Sequence, residues 1–241
     1  MEITDRAVLV TGANRGIGRA LVEEALRRGA RRVYAGTRQP LDHPDERVTP
    51  LLVDITDATQ RRAALQRVES LDILVNNAGL AMYDDLSDPT ALERQLAVNL
   101  FGTLGMTRDF LPLLTGSGGA IVNVLSLASL APIPVIPAYS ISKAAGFSLT
   151  QSMRALLAGR GVQVHAVLTG PVDTEMSREL TIPKASPESV ASAIWDGVIS
   201  GEPDIFPDPM SAPIAESWRG GAAKALENQF AELVAAEPVS S

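Results

Sequence analysis

The segment Ala7-Val-Leu-Val-Thr-Gly-Ala-Asn-Arg-Gly-Ile-Gly18 decides the fold of this chain. It starts with an apolar run of the length of a buried strand and ends in the amphipathic pattern of a helix over residues 17–28. Glycines at such a turn let the backbone approach a pyrophosphate, whose charge the helix N-terminus favours. A glycine turn alone is a weak signal, and the spacing differs from the common Gly-x-Gly-x-x-Gly. Its place between a strand and a helix nevertheless predicts a dinucleotide-binding turn.

Short β-branched runs and longer helical patterns alternate along the rest of the chain, which is typical of a parallel sheet. Strands are predicted at residues 7–10, 32–35, 50–53, 73–75, 120–124, 162–168 and 204–206, and helices at 17–28, 59–70, 92–114, 139–158, 187–199 and about 215–235. Because no linker or repeat divides it, we predict a single α/β domain over residues 1–241. This domain is a doubly wound Rossmann-type fold, with a seven-stranded, mainly parallel sheet and helices on both faces. The tail from Glu237 is predicted to fray.

Composition narrows the class of protein. A net charge of −7 argues against nucleic acid as a partner. The absence of cysteine, with only His43 in a polar loop and His165 in a strand, argues against a metal site. No long uncharged span predicts a membrane helix, and the acidic start does not resemble a signal peptide. We therefore expect a soluble cytoplasmic protein.

Three polar residues in the middle of the chain suggest acid–base chemistry. Tyr139 and Lys143 share one face of a predicted helix, and Ser126 precedes them. A tyrosine pKa near 10 is too high for proton transfer at neutral pH, and a neighbouring ammonium lowers it. Lowering it to about 7 takes roughly 4 kcal/mol, so a second cation such as an oxidised nicotinamide, or desolvation, must contribute. A Tyr-x-x-x-Lys pair by itself can also arise by chance on an amphipathic helix.

Together these motifs resemble the short-chain dehydrogenase/reductase family over residues 6–200. The resemblance is carried by the glycine turn, Asn76-Asn-Ala-Gly79, Asn99, Ser126, the Tyr139/Lys143 pair and Gly170-Pro-Val-Asp-Thr174. It implies that Tyr139 donates a proton to a substrate carbonyl, that Ser126 hydrogen-bonds this carbonyl, and that Lys143 holds the nicotinamide ribose and lowers the tyrosine pKa. It also implies that Asn99 keeps a water beside the lysine. Asn99 can instead be a helix residue bonded to backbone, and Ser126 a strand-end cap.

One departure from the family pattern is visible. Thr169 stands before Gly170, where the family usually has proline. We expect this change to loosen or redirect the turn under the nicotinamide without removing it.

The end of the second strand indicates which cofactor is bound. A carboxylate there accepts hydrogen bonds from an adenosine 2′-hydroxyl, whereas a 2′-phosphate requires arginine. Thr37 stands where an NAD-preferring relative has Asp, Arg38 follows it, and Arg15 lies in the glycine turn. We therefore predict NADP(H), unless both arginines are ordinary surface residues. The resemblance places the cofactor against Gly12, Asn14, Arg15, Gly16, Ile17, Gly18, Thr37, Arg38, Asp54, Ile55, Asn76, Ala78, Gly79, Tyr139, Lys143, Val172 and Thr174, with Asp54 at the adenine.

The substrate is less constrained. Residues 127–138 carry three prolines and no charge, and predict a rigid apolar wall opposite residues 80–82. A hydrophobic ketone or aldehyde fits such a wall, although an apolar loop can also pack against a partner subunit. Residues 174–187 are the predicted substrate loop, and residues 204–235 form a C-terminal strand and helix. This C-terminal part lacks the Asp-Gly-Gly turn of some family members, which argues against acyl-carrier-protein ketoreduction.

The leading hypothesis is an NADPH-dependent carbonyl reductase whose reaction is reversible. Helices 92–114 and 139–158 resemble the family's dimer-forming helices, so we expect a homodimer or homotetramer. The alternative is a non-catalytic NADP(H)-binding regulatory protein on the same fold. Ser126, Tyr139 and Lys143 argue against it, because a pure sensor does not need an acid–base tyrosine.

Overall fold

A computed structural model describes residues 1–236, and the predicted fraying of the tail from Glu237 lies outside them. The strands are β1 (Ala7–Thr11), β2 (Arg32–Thr37), β3 (Val48–Leu52), β4 (Ile73–Asn76), β5 (Ala120–Val124), β6 (Gln163–Val167) and β7 (Asp204–Ile205). The helices are α1 (Gly16–Arg27), α2 (Ala58–Leu65), α3 (Pro89–Leu96), α4 (Thr103–Ser117), α5 (Pro137–Leu157), α6 (Pro187–Ser200), α7 (Ile214–Arg219) and α8 (Ala222–Ala236). A π-helix, Ala97–Gly102, joins α3 to α4.

The strands form one sheet in the order β3-β2-β1-β4-β5-β6-β7. The prediction of a mainly parallel sheet is confirmed, and every pair of described strands is parallel. All carboxyl ends therefore share one edge of the sheet. The order of strand addition reverses between β1 and β4, which opens a crevice at that edge where α/β proteins bind ligands.

The core consists of two layers, one on each face of the sheet. On one face α1 and α6 pack together around the fully buried Trp195, whose Nε1 donates to the carbonyl of Leu21 at 3.2 Å. On the other face α2, α4 and α5 cover the sheet, with Phe110 fully buried. The strands are buried from both sides, which explains their continuous apolar sequences.

The long helix predicted over residues 92–114 is three consecutive segments. It begins earlier, at Pro89, because the Asp88 carboxylate accepts a hydrogen bond from the Thr90 N–H at 2.9 Å and proline suits the first helical position. The chain then widens into the π-helix before α4 starts at Thr103. Isolated π turns are rare and often lie at functional sites.

Other boundaries also differ from prediction. The third strand covers residues 48–52 rather than 50–53, and Pro50 is tolerated because β3 is an edge strand. The second helix ends at Leu65 instead of residue 70. Beyond it, the N–H groups of Arg67 and Val68 donate to the carbonyls three residues earlier, those of Ala64 and Leu65, so the chain continues in tighter turns.

The C-terminal helix predicted at about 215–235 is broken at Gly220 and Gly221 into α7 and α8, since glycine is unfavourable inside helices. A buried ion cluster attaches both helices to the sheet. We call it the Asp204 cluster, and it consists of Asp204, Arg154, Trp218, Lys224 and Glu227. Asp204, in β7, accepts from Arg154 of α5 at 2.8 Å, Trp218 of α7 at 2.9 Å and Lys224 of α8 at 2.6 Å.

Candidate active site

The glycine turn between β1 and α1 is tightly built. Gly16 has a φ of +53°, which favours glycine. A Cβ on Gly18 would lie 2.1 Å from the carbonyl oxygen of Gly12, so no larger residue fits there without a backbone shift. The side chain of Asn77 ties the turn to β4 by donating to the Thr11 carbonyl at 2.9 Å. The side chain of the N-cap residue, Arg15, makes no capping hydrogen bond, which leaves the backbone N–H groups of the first turn of α1 available to an anion.

Two of the three residues predicted at an adenosine 2′-phosphate lie together at the end of β2. Thr37 is buried, and its hydroxyl donates to the carbonyl of Gln39 at 2.5 Å, while Arg38 is exposed. Arg15 is exposed on the glycine turn, where it forms an ion pair with Glu175. This ion pair had no signal in the sequence.

Asp54 and Ile55, two of the predicted cofactor residues, follow β3, and the resemblance places Asp54 at the adenine. Asp54 is partly exposed, and its carboxylate accepts from the backbone and hydroxyl of Thr56 at 2.9 and 2.7 Å. Ile55 is buried and packs so closely on the π-helix that a Cβ at Gly102 would lie 2.8 Å from it. The π-helix is therefore in contact with the segment that follows β3.

Asn76 and Asn77 have different roles although they are adjacent. The Asn76 side chain is buried and donates to Asn123 at 2.9 Å and Thr107 at 3.1 Å, so it is bound within the protein. The next residues contact the glycine turn, since the N–H of Ala78 donates to the Thr11 hydroxyl at 3.0 Å. The sequence prediction included Asn76 and Ala78 but not Asn77, whose backbone N–H also donates to the Thr11 hydroxyl at 3.0 Å. Of the other predicted cofactor residues, Asn14 and Gly79 are exposed, Ile17 and Thr174 are partly exposed, and Val172 is buried.

Ser126, Tyr139 and Lys143 converge at the carboxyl edge of the sheet. Ser126 follows β5, accepts from the Ala128 N–H at 3.1 Å and lies beside the Tyr139 phenol, whose pKa it lowers. Lys143 Nζ lies 5.6 Å from the centroid of the Tyr139 ring and donates to the Val124 carbonyl at 2.9 Å. The helical spacing and the strand end therefore place these three side chains in one site.

The protonation of this site differs from what we expected. Burial raises the pKa of Tyr139 to about 12, and Ser126 opposes this only in part. Burial also lowers the pKa of Lys143 to about 8. Desolvation therefore does not help to lower the tyrosine pKa, because it disfavours the charged phenolate. Without a bound cofactor the phenol is neutral at pH 7, while most of the lysine remains protonated.

Asn99 lies within the π-helix and joins two walls of the site. Its side chain exchanges two hydrogen bonds of 2.8 Å with the backbone of Leu80 and donates to the Ser142 hydroxyl at 2.8 Å. The Ser142 hydroxyl in turn donates to the Tyr139 carbonyl at 2.7 Å. This is the backbone-bonded arrangement that the sequence left open as an alternative, and it connects the loop after β4 to the helix of the tyrosine.

Two buried or partly buried carboxylates that the sequence did not single out also shape the site. Asp84 accepts from the Ala138 N–H at 3.3 Å, at the start of α5 and next to Tyr139. Asp208 follows β7 and accepts from the Gly170 N–H at 2.7 Å. Thr169, which we expected to loosen this turn, is buried beside that anchor.

Within residues 1–236, no three His, Cys, Asp or Glu side chains lie close enough together to hold a metal ion. No helix in the same part of the chain has the length and apolar character needed to span a membrane.

The parallel sheet, the glycine turn after β1 and the Ser, Tyr, Lys set at the same edge together define an oxidoreductase of the dinucleotide-binding α/β type. The chain matches the family model described as short chain dehydrogenase over residues 6–185. It belongs to this family.

Individual relatives cover most of the chain. It is similar to the short chain dehydrogenase mpl6 of Monascus purpureus, with 34% identity over 95% of this chain and 83% of that protein. It is also similar to 2-(S)-hydroxypropyl-CoM dehydrogenase 3 of Xanthobacter autotrophicus, with 36% identity over 78% and 80% of the two chains. Among solved structures, a short chain dehydrogenase from Burkholderia cenocepacia in complex with NADP has a TM-score of 0.87 and 40% identity, covering 95% of this chain and 98% of that one.

Proposed function

We propose that the protein is an NADP(H)-dependent carbonyl reductase that transfers hydride to a hydrophobic ketone or aldehyde and gives an alcohol, in a reversible reaction. The observation that carries this proposal is the convergence of Ser126, Tyr139 and Lys143 at the carboxyl edge of the sheet, beside the glycine turn.

Each of these residues has a role that its surroundings support. Tyr139 is the proton donor, and its raised pKa keeps the phenol in the neutral form that can donate a proton. Ser126 hydrogen-bonds the carbonyl oxygen on which negative charge develops. The Lys143 ammonium stabilises charge near the phenol and binds the ribose hydroxyls, while Asn99 positions the surrounding loop and helix.

The residues of the glycine turn fit a dinucleotide. A Cβ at Gly18 would fill the space between the turn and Asn77, and the uncapped N–H groups of α1 suit a pyrophosphate. Arg15 and Arg38, with Thr37 in place of an acid, favour a 2′-phosphate over a free hydroxyl. The NADP complex of the Burkholderia relative supports the same choice. When bound, NADPH supplies the hydride.

Apolar side chains at the carboxyl edge support an uncharged substrate. The loop between Ser126 and Tyr139 exposes Ile133 and Val135, and the loop after β6 exposes Met176, Leu180 and Ile182. Clusters of exposed apolar side chains often mark binding sites, whereas single exposed apolar residues are ordinary on a protein surface. We propose that they contact the apolar part of the substrate.

The first experiment measures NADPH and NADH consumption against hydrophobic ketones, aldehydes and acyl thioesters, for the wild type and for Tyr139→Phe. Loss of a positioned general acid costs about 10²–10⁴-fold in rate, so turnover with NADPH is expected to fall by that factor. Undiminished NADPH binding in the mutant shows that the fold is intact. Binding of NADPH without turnover of any substrate would favour the regulatory alternative, and a preference for NADH would refute the roles of Arg15 and Arg38.

We also propose that the protein is a cytoplasmic homodimer or homotetramer. Phe101, on the π-helix, and Ile141, on α5, are exposed on the elements that correspond to the predicted dimer helices. Light scattering with size-exclusion chromatography measures the mass, and a monomer at micromolar concentration would refute this assignment. Cell fractionation tests the location.

A further inference from the structure

The loop after β6 is closed at its base and lies on the glycine turn. We call residues 174–187 the covering loop. Asp173 donates its backbone N–H to the Ala185 carbonyl at 2.8 Å, which brings the two ends of the loop together. At its start, a Cβ on Gly16 would lie 3.0 Å from Thr174 Cγ2, so the first turn of the loop touches the turn before α1.

An ion pair spans this contact. The guanidinium of Arg15 pairs with the carboxylate of Glu175, and the two side chains are 63% and 55% exposed. The exposure means that either side chain can exchange its partner for another without an internal rearrangement. Arg15 is also the residue we assign to the 2′-phosphate, so one guanidinium has two candidate anions.

These two anions interfere with each other. A carboxylate beside Arg15 cancels most of its charge, and it repels an approaching phosphate. Both anions accept bidentate hydrogen bonds from arginine, but a phosphate carries more negative charge than a carboxylate, so it is the stronger partner. A ligand with a 2′-hydroxyl in place of the phosphate has no charge with which to displace Glu175.

We propose that Glu175 is a specificity-determining residue that competes with the 2′-phosphate of NADP(H) for Arg15, and whose release by the phosphate frees the first turn of the covering loop. This inference rests on the proposed function, because it requires Arg15 to bind the 2′-phosphate. The release of Glu175 makes the covering loop respond differently to a nucleotide that carries a 2′-phosphate and to one that lacks it.

The expected effect follows from the exposure of the pair. Removing a competing exposed ion pair changes an affinity by roughly two- to fivefold. Glu175→Gln is therefore expected to bind adenosine 2′,5′-bisphosphate two- to fivefold more tightly than the wild type, while its affinity for AMP stays the same. High salt is expected to reduce the difference, because both anions and the guanidinium are in contact with solvent.

Calorimetric titration of the full-length chain with adenosine 2′,5′-bisphosphate and with AMP tests this without any substrate. The matched control is Glu179→Gln, which removes the same charge from the same exposed loop; Glu179 forms no ion pair within residues 1–236. Equal tightening by both substitutions would mean a general charge effect and would overturn the competition.

The Arg15→Ala background separates this inference from the proposed cofactor. If Arg15→Ala weakens the bisphosphate and Glu175→Gln then has no additional effect, the competition is supported. Should Arg15→Ala leave bisphosphate affinity unchanged, the cofactor assignment of Arg15 fails and the competition fails with it. If Arg15→Ala weakens bisphosphate binding but Glu175→Gln binds the bisphosphate as the wild type does, the competition is overturned. The cofactor assignment of Arg15 then stands.

Hydrogen exchange tests the release of the loop. Amides in residues 174–180 are expected to exchange faster with saturating bisphosphate than with saturating AMP, because only the phosphate breaks the pair. Equal exchange with the two ligands would overturn this part of the proposal.

Discussion

Replacing Asp204 by Asn removes one negative charge from the Asp204 cluster while it keeps the size of the side chain. Asp204 is 2% exposed and accepts hydrogen bonds from one residue in each of α5, α7 and α8. An asparagine amide keeps a single acceptor oxygen and presents an NH₂ group, so Arg154 and Lys224 cannot both retain their partner. Glu227 still contacts both cations, which limits the loss.

The size of the loss follows from this geometry. Breaking a buried ion pair by removing one partner costs about 3–5 kcal/mol. Because Glu227 compensates in part, we expect the free energy of unfolding to fall by about 2–4 kcal/mol. For a chain of 241 residues, each kcal/mol changes Tm by about 2–4 °C, so Tm is expected to fall by about 5–15 °C.

The effect depends on pH in a defined direction. Burial alone would raise the pKa of Asp204, but Arg154, Lys224 and Trp218 outweigh it and hold the pKa below 3.8. A carboxyl group with a depressed folded-state pKa stabilises the protein above its unfolded pKa, and this contribution is lost as the pH falls through the folded value. The difference in Tm between wild type and Asp204→Asn is therefore expected to be constant from pH 6 to 8 and to shrink in strong acid.

Thermal unfolding followed by circular dichroism measures these differences. The control is Asp173→Asn, whose carboxylate is 70% exposed and lies 3.4 Å from Lys184 Nζ, and which we expect to lose less than about 1 kcal/mol. If Asp204→Asn lowers Tm no further than Asp173→Asn does, the Asp204 cluster does not hold the C-terminal helices and the reasoning fails.

Three further perturbations test the site itself. Gly18→Ala is expected to abolish NADPH binding in a fluorescence titration, because the new Cβ would lie 2.1 Å from the Gly12 oxygen; normal binding would contradict this. Asp84→Ala is expected to raise KM for a ketone about three- to tenfold with kcat little changed, since it removes the acceptor for the Ala138 N–H, and steady-state kinetics would refute it if only kcat fell. Without cofactor, the free energy of unfolding is expected to rise with pH by up to about 1.4 kcal/mol per pH unit. The rise lies between the folded pKa of Lys143, about 8, and its ordinary pKa of 10.5, because in this window Lys143 is protonated in the unfolded chain and neutral in the folded one. Lys143→Met should flatten this rise in Tm, and an unchanged slope would exclude the lysine as its cause.

The sheet and the main parts of the site could be predicted because they depend on local rules. Strands buried on both faces must be continuous apolar runs, and a turn as tight as that at Gly18 must be glycine. The positions of Tyr139 and Lys143 follow from helical periodicity alone. Each of these features is encoded within about a dozen neighbouring residues.

The features that could not be predicted join distant parts of the chain or depend on burial. Glu175 meets Arg15, and Asp208 meets Gly170, through the fold rather than through any local pattern. Acidic and basic residues are common on every surface, so their types do not reveal which of them pair. The effect of desolvation on Tyr139 was also predicted with the wrong sign, because burial raises the pKa of the phenol by disfavouring its charged form.

The wide turn at Ala97–Gly102 takes up one residue more than a regular helix would over the same length. If the same residues formed a regular α-helix instead, α3 would rotate by about 100° relative to α4. Gln95, whose side chain accepts from the Met82 N–H at 3.2 Å, would then turn away from the loop beside the site. The extra residue of the π turn therefore keeps Gln95 facing this loop while the chain continues into α4.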